Sequence, residues 1–259
     1  MIGCIIQARM GSSRLPGKVM MKVNDESKVI DFVINQIKNS GLINEIIVAT
    51  SNLVEDNKIV EHLKKNNIKF FLGSPTDLLD RYFKCAKKFS VSIIVRITGD
   101  NPLVDPRIID SVIEKFRNND YDYVTNSLVG TFPYGTEVEV FSFNALKIAW
   151  ENAKLPSERE HVTPFMKKHP EIFRILNIEN KENLSHLRYT VDHQNDLELI
   201  REVIKNIKSR PIFIEDIIEL FKRKPDLIKM NESNIRDEGY LKSLKEDEKF
   251  LKLKSNDEL

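Results

Sequence analysis

A basic loop near the amino terminus carries the residue types that bind phosphate. Arg9, Arg14 and Lys18 place three cations within ten residues, directly after an apolar run at 3–8. Arg and Lys neutralise phosphate oxygens, and small residues let backbone N–H groups approach them. The small residues of the loop are Ala8, Gly11, Ser12 and Ser13. This composition predicts a polyphosphate site, with a solvated surface loop as the alternative.

The spacing of this loop differs from that of a Walker A motif. Five residues separate Gly11 from Gly17 where the motif requires four, and Val19 stands where Ser or Thr would be needed. The predicted phosphate site is therefore not a P-loop.

Two aspartates follow strand-like segments and are candidate ligands for a divalent cation. Asp100 ends the segment Arg96–Asp100 (RITGD), and Asp192 ends the segment Arg188–Asp192 (RYTVD). Magnesium is usually held by one or two carboxylates with phosphate oxygens and water. An Asp after a strand is more often a turn residue or a helix N-cap. The two positions are far apart in the chain, so the residues alone do not place them together.

The elements that must position these residues follow a regular alternation in the first half of the chain. Strand-like apolar runs lie at 3–8, 45–50, 69–72 and 92–98, and helix-like amphipathic segments lie at 28–40, 54–66, 76–89 and from Asp105-Pro106 onward. This alternation indicates βαβ units and a mostly parallel sheet with helices on both faces. In such a sheet, ligands bind beyond the carboxyl ends of the strands, where the basic loop lies.

The second half has a less regular pattern. Strands are predicted at 121–126, 136–141 and 188–191, and helices at 143–153, 157–168, 196–207 and 214–224. The first two strands suggest a small antiparallel insertion. The segment 231–259 is dense in charge and is predicted to be a solvated helix or partly disordered, with no recognisable chemistry.

Composition excludes several classes of protein. The net charge of +1 gives no global basic field, so nucleic acid is not an expected partner. No apolar run approaches the roughly 18 residues of a membrane span, and the first residues do not resemble a signal peptide. The two cysteines, Cys4 and Cys85, do not form a disulfide framework or zinc motif, and Cys4 is expected to be buried. A cytoplasmic location is predicted.

The ordered string Arg-x-x-x-Ser-Arg-Leu-Pro-Gly-Lys, from Arg9 to Lys18, resembles the signature of the sugar-activating cytidylyltransferases. That family includes the enzymes that make CMP-activated Kdo and sialic acids, and an SpsF-like branch of spore-coat polysaccharide biosynthesis. Its Gly-Asp-x-Pro-Leu segment matches Gly99–Leu103, and its late Val-Asp matches Val191-Asp192. The resemblance covers roughly residues 1–225.

This resemblance implies a Rossmann-like nucleotidyltransferase fold of the α/β class, with a helical carboxyl-terminal part. It implies one domain over 1–230, with a CTP half at about 1–120 and an acceptor and dimer half at about 121–210. Mg²⁺ would be bound by Asp100 and Asp192, Arg9, Arg14 and Lys18 would be catalytic, and the chain would form a homodimer. The implied CTP-binding residues are Ala8, Arg9, Gly11, Ser12, Ser13, Arg14, Lys18, Arg81, Thr98 and Asp100.

Two departures leave the acceptor undefined. Thr98 stands where the Kdo enzymes carry Gln, and their His-x-Gly-x-Tyr-x-Tyr segment is missing. The segments 132–141 and 158–164 look instead like the SpsF-type branch. We therefore expect CMP transfer to a small anionic acceptor, either a phosphorylated metabolite or a sugar acid, for capsule or surface polysaccharide. The weaker candidates for acceptor binding are Glu137, Glu139, Arg159, His161 and Arg188.

Each acceptor candidate has a structural alternative. Glu137 and Glu139 could form the polar outer face of a strand, and Arg159 and His161 could belong to a charged first helical turn. No general base is obvious, which favours a phosphate acceptor that is already ionised.

Within the same family, an acylneuraminate-type cytidylyltransferase is an alternative. Two other functions also compete with this hypothesis. A nucleotide-sugar glycosyltransferase can share a similar core, but it would need an Asp-x-Asp metal motif where residues 100–102 read Asp-Asn-Pro. A non-catalytic nucleotide-binding module would be expected to lack Lys18 or one of the aspartates, and all are present.

Overall fold

A seven-stranded sheet organises the molecule in this computed structural model, which describes residues 1–257, with side chains to 254. The strands are β1 (Ile2–Gln7), β2 (Glu45–Ser51), β3 (Lys69–Gly73), β4 (Ile93–Thr98), β5 (Tyr123–Thr125), β6 (Glu139–Ser142) and β7 (Ile175–Asn177). Their order is β3-β2-β1-β4-β6-β5-β7. Strands β1 to β4 pair in parallel, whereas β6 is antiparallel to both β4 and β5. The predicted α/β class is confirmed.

Helices cover both faces of the sheet. They are α1 (Val29–Ile37), α2 (Asn57–Lys65), α3 (Leu78–Lys88), α4 (Pro106–Arg117), α5 (Phe143–Asn152), α6 (Pro156–His161), α7 (Pro164–Lys168), α8 (Gln194–Asn206), α9 (Ile214–Arg223) and α10 (Glu238–Asp257). Short 3₁₀ turns lie at Lys18–Met20, Val54–Asp56 and Pro225–Met230.

The central strands are buried on both faces, which explains their continuous apolar sequence. Cys4 and Ile6 of β1 face a core shared with α1, α2 and α4, whereas Ile5 faces a second core shared with α3 and α5. A third core packs α8 against α9. Cys4 and Cys85 are buried free thiols.

Local signals account for the start of α4. The Asp105 side chain accepts a hydrogen bond from the Arg107 backbone N–H at 2.9 Å, and Pro106 occupies the first helical position. The predicted helix start is confirmed, and it fixes the direction in which the chain leaves the loop after β4.

Two predicted elements of the second half were wrong. Residues 157–168 form two short helices, α6 and α7, because the backbone turns at Val162 (φ 71°) before Pro164 starts the second helix. Residues 188–191 are not a strand. Arg188 makes one isolated bridge with Tyr134, and the Val191 N–H donates instead to the Asp100 carbonyl at 2.8 Å.

The segment after residue 231 contains the helix α10, whose side packs on α6. Within residues 1–257, no helix is long and apolar enough to cross a membrane.

Candidate active site

A pocket of about 850 Å³ opens at the carboxyl ends of β1 and β4. The parallel register places Gln7 of β1 beside Thr98 of β4, so the loops that follow both strands meet there. Of the ten predicted CTP-binding residues, all line this pocket: Ala8, Arg9, Gly11, Ser12, Ser13, Arg14, Lys18, Arg81, Thr98 and Asp100. The arrangement brings the basic loop and the first aspartate into one cavity.

The basic loop is folded back on itself by its own backbone. The Met10 carbonyl accepts the N–H groups of Ser12 at 2.9 Å and Gly17 at 2.8 Å, and the Met10 N–H donates to Asp56 at 2.6 Å. Gly17 has a φ of 74°, a left-handed conformation that favours glycine. This turn directs Lys18 inward, where it is 7% exposed.

The Lys18 ammonium lies between the two predicted metal ligands. Its Nζ is 2.5 Å from Asp100 Oδ2 and 2.7 Å from Asp192 Oδ1. Burial alone would raise the pKa of Asp100, but the Lys18 charge, with a hydrogen bond from Thr98, lowers it below its usual value. Asp100 is therefore expected to be ionised at neutral pH, and Lys18 brings the two carboxylates to the same point of the pocket.

The turn before Asp100 requires glycine. The Gly99 N–H donates to the Gln7 carbonyl at 2.8 Å, and a Cβ atom on Gly99 would lie 2.8 Å from that oxygen. Because such a contact is too close, a larger residue would displace Asp100 from the end of β4.

Asp192 is held by three cations. Besides Lys18, Arg14 Nη2 donates to its Oδ1 at 2.5 Å and Arg188 Nη2 donates to its Oδ2 at 2.9 Å. Arg188 also pairs with Asp196 at 2.9 Å and is itself buried. Arg188 does not line the pocket. It therefore holds Asp192 in position from the protein interior and does not face an acceptor.

Arg81 is buried at the pocket wall. Its Nε and Nη2 donate to the Ser74 carbonyl at 2.9 and 2.6 Å, which fixes the guanidinium against the end of β3. Burial, and then the nearby charge of Arg9, lower the pKa of Arg81. Arg81 therefore lies where the resemblance implies a CTP-binding residue, and it also ties α3 to the chain that follows β3.

Glu139 is the hub of a buried polar cluster. It accepts hydrogen bonds from Tyr123 Oη at 2.5 Å and Thr163 Oγ1 at 2.7 Å, and it contacts Lys167 at 3.0 Å and Arg96. Burial would raise the pKa of Glu139, but Lys167 and Arg96 lower it far below its usual range. Its side chain lines the pocket, yet its oxygens are already satisfied by the protein.

Glu137 lines the same pocket as Glu139 but has fewer partners and an oppositely shifted pKa. It precedes β6, so the predicted shared strand face does not exist. Its Oε2 accepts the Gly135 N–H at 2.8 Å, and its other oxygen is 3.7 Å from Arg236. Burial raises the pKa of Glu137 to about 7. It lines the pocket and is a carboxylate poised to exchange a proton near neutral pH.

Of the two candidates on α6, Arg159 makes structural contacts outside the pocket lining and His161 lines the pocket. Arg159 donates to Asp77 at 2.9 Å and to the Trp150 carbonyl at 2.8 Å, so it joins α3, α5 and α6 outside the pocket lining. His161 lines the pocket, with Nε2 3.0 Å from Ser243 Oγ. Burial lowers the pKa of His161 to about 4, so its imidazole is expected to be neutral at pH 7.

Comparison with known proteins identifies the family. The sequence model described as cytidylyltransferase matches residues 3–233. The chain belongs to the cytidylyltransferase family. It is accordingly a nucleotidyltransferase enzyme, which favours this reading over a glycosyltransferase or a non-catalytic module.

Full-length relatives accompany this match. The cytidylyltransferase described here is 38% identical over 239 residues to the uncharacterized protein MJ1063 of Methanocaldococcus jannaschii, covering 91% of this chain and 96% of that protein. It is 33% identical over 232 residues to the spore coat polysaccharide biosynthesis protein SpsF of Bacillus subtilis, covering 86% and 94%. The solved structure of a cytidylyltransferase from Leptospira borgpetersenii superposes with a TM-score of 0.84 at 35% identity, covering 88% and 96%. The resemblance to the SpsF branch is confirmed.

The carboxyl-terminal helix adds a wall that the sequence did not indicate. In this cytidylyltransferase, α10 begins beyond the matched residues and lines the pocket through Glu238, Gly239, Tyr240, Lys242, Ser243 and Glu246. Gly239, Lys242, Ser243 and Glu246 recur at the spacing of one helix face. Because charged residues occur throughout this segment, that spacing alone did not predict a pocket wall. The sequence of this segment shows no recognisable chemistry, and the structure places six residues of α10 on the pocket wall.

Proposed function

We propose that this cytidylyltransferase transfers CMP from CTP to a small anionic acceptor. An acceptor oxygen would attack the α-phosphorus in line, and pyrophosphate would leave. The observation that carries this proposal is the Lys18 ammonium lying within 2.7 Å of both Asp100 and Asp192, three residues from distant parts of the chain. Such a constellation serves polyphosphate chemistry by positioning and charge neutralisation, with no covalent intermediate.

The phosphate loop would hold the triphosphate. Arg9 is half-exposed beside the pocket, and Arg14 and Lys18 point into it from the other end of the loop. Arg14 offers a planar fork of donors that suits phosphate oxygens, whereas Lys18 offers a compact charge. Together they would orient the α-phosphorus toward the acceptor side of the pocket.

Asp100 and Asp192 fit a magnesium site. Their oxygens lie within hydrogen-bond distance of one nitrogen, so they are close enough to share a cation. Magnesium is usually held by one or two carboxylates together with phosphate oxygens and water, so two aspartates are enough for the protein's share of such a site. When bound, magnesium would neutralise the triphosphate and favour departure of pyrophosphate.

Glu137 changes the argument about the acceptor. The expectation of a phosphate acceptor depended on the lack of a base, and Glu137, with a pKa of about 7, supplies a proton acceptor at the pocket wall. A hydroxyl acceptor is then as well supported as a phosphate. The product would be a CMP-sugar or a CDP-linked metabolite. The SpsF relative supports a role in capsule or surface polysaccharide, and the homodimer and cytoplasmic location stay predictions.

Pyrophosphate release tests this proposal. Magnesium and each of CTP, ATP, GTP and UTP are incubated with separate pools of sugar acids and of small phosphorylated metabolites. We expect release with CTP and one pool, abolished by Lys18→Ala or Asp100→Asn and retained in Lys58→Ala, where an exposed lysine of α2 is removed. Absence of magnesium-dependent CTP binding would refute the proposal.

A further inference from the structure

Helix α10 is attached to the pocket at two places of different character. The first attachment is buried and lies on α6. Asp247 accepts the Ser157 N–H at 2.8 Å and its Oγ–H at 2.5 Å, and Ser243 Oγ donates to Glu160 at 3.0 Å. Arg9 of the phosphate loop reaches this attachment at Glu160, in an exposed contact of 3.4 Å, so the buried pair of Asp247 and Ser157 can persist when a ligand binds.

The second attachment lies at the first turn of α10 and uses the phosphate loop. Glu238 Oε2 accepts from Arg14 Nη1 at 3.1 Å and lies 3.0 Å from His193 Nε2. The side chains of Arg14 and Glu238 are 26% and 34% exposed, so water screens this contact. The hydrogen bond from Arg14, and then that from His193, lower the pKa of Glu238.

We propose that Glu238 is a positioning residue that competes with the triphosphate of CTP for Arg14, and so ties α10 to the phosphate loop only while the nucleotide is absent. This inference rests on the proposed function, because it requires Arg14 to bind the triphosphate.

The charges explain why the nucleotide displaces Glu238. Arg14 is shared between Asp192 at 2.5 Å and Glu238 at 3.1 Å, and Glu238 is the longer, more exposed contact of the two. A triphosphate carries several negative charges and accepts paired N–H donors from one guanidinium. When Arg14 rotates toward the triphosphate, it therefore loses only its weaker contact, the one with Glu238.

Release of Glu238 has a consequence for the acceptor side. Lys242 and Glu246 line the pocket from the same helix, between the contact of Glu238 and the anchor of Asp247. When Arg14 turns toward the nucleotide, Glu238 keeps its contact with His193 and Asp247 keeps the anchor, so the wall between them loses one restraint and can adjust to an acceptor. Nucleotide binding would thereby prepare the acceptor side before the acceptor arrives.

Glu238→Gln tests this competition, because it removes the charge and keeps the shape. The dissociation constant of magnesium–CTP is measured by calorimetry for the wild type, Glu238→Gln and the control Glu248→Gln, which alters an exposed residue of the same helix. We expect Glu238→Gln to bind about 2- to 5-fold more tightly, the range of an exposed ion pair, and the control to be unchanged.

A double-mutant cycle separates this role from a general structural one. In an Arg14→Gln background, Glu238→Gln should no longer change the dissociation constant, because the guanidinium for which Glu238 and the triphosphate compete has gone. Equal or weaker binding by Glu238→Gln in the wild-type background overturns the inference, and so does the same gain in both backgrounds. If the wild type itself binds no magnesium–CTP, the proposed function fails together with the inference.

Discussion

Replacing Lys18 with Met removes the one ammonium that two carboxylates share, and it keeps most of the side-chain volume. Lys18 and Asp192 are 7% and 3% exposed, so the variant leaves uncompensated negative charge in a buried site. Loss of one partner from a buried ion pair costs about 3–5 kcal/mol. Arg14 and Arg188 still contact Asp192, and we therefore expect the lower end of this range.

Thermal unfolding measures this cost. At about 2–4 °C per kcal/mol for a chain of this size, a loss of about 3 kcal/mol lowers the Tm by roughly 6–12 °C. Magnesium chloride should raise the Tm of Lys18→Met more than that of the wild type, since a cation can then lie between Asp100 and Asp192. The deficit should also shrink as the pH falls below about 4, because the depressed pKa of Asp100 gives the wild type a stability that is lost there.

The control is Lys58→Met, an exposed substitution on α2, for which a change within about 0.5 kcal/mol is expected. If Lys18→Met melts like the wild type, the carboxylates do not depend on its charge. If it is destabilised and magnesium gives no extra protection, Asp100 and Asp192 are not a cation site. Either result would refute the reasoning on which the site is built.

Four further outcomes are expected. Glu139→Gln should cost about 3–5 kcal/mol in denaturant unfolding, because Arg96 keeps a buried charge without a full partner. In the wild type, the depressed pKa of Glu139 stabilises the fold at pH values above about 4.3, the pKa of Glu in the unfolded chain. This stabilisation is lost progressively as the pH falls below that value. Thermal melts between pH 3 and 7 would detect the loss. Lys242→Ala should raise the KM of the acceptor found in the pyrophosphate assay without changing that of CTP, whereas Lys245→Ala, an exposed change on the same helix, should alter neither. Asp247→Ala should loosen α10 and speed proteolysis within 238–257, and unchanged cleavage would contradict its role as the buried anchor.

The first half of the chain could be predicted because its signals are local. A doubly covered parallel strand is an uninterrupted apolar run, and Asp105-Pro106 carries both an N-cap and the proline of a first turn. The loop from Arg9 to Lys18 follows such a strand, so its place at the sheet edge followed from chain direction alone. The family resemblance then supplied the partners, Asp100 and Asp192.

The structure of the second half of the chain depends on contacts between residues that are far apart in the sequence, so short segments do not predict it. Residues 188–191 alternate like a strand, but the Val191 N–H bonds to the Asp100 carbonyl and not to a neighbouring strand. Pro164 was a readable break in the helix predicted over 157–168, because proline disfavours helix at the residue before it. Arg188 illustrates the remaining limit, since only the fold reveals that its partners are Asp192 and Asp196.

The cations of the phosphate loop that point into the pocket are paired with carboxylates of the protein itself. Lys18 lies between Asp100 and Asp192, and Arg14 lies between Asp192 and Glu238. Under the proposed function, binding of an anionic nucleotide would exchange one set of ion pairs for another and leave the aspartates with less compensation. A cation at those aspartates would then restore the balance. We therefore expect nucleotide and magnesium to bind with positive coupling, which reciprocity makes equal in both directions.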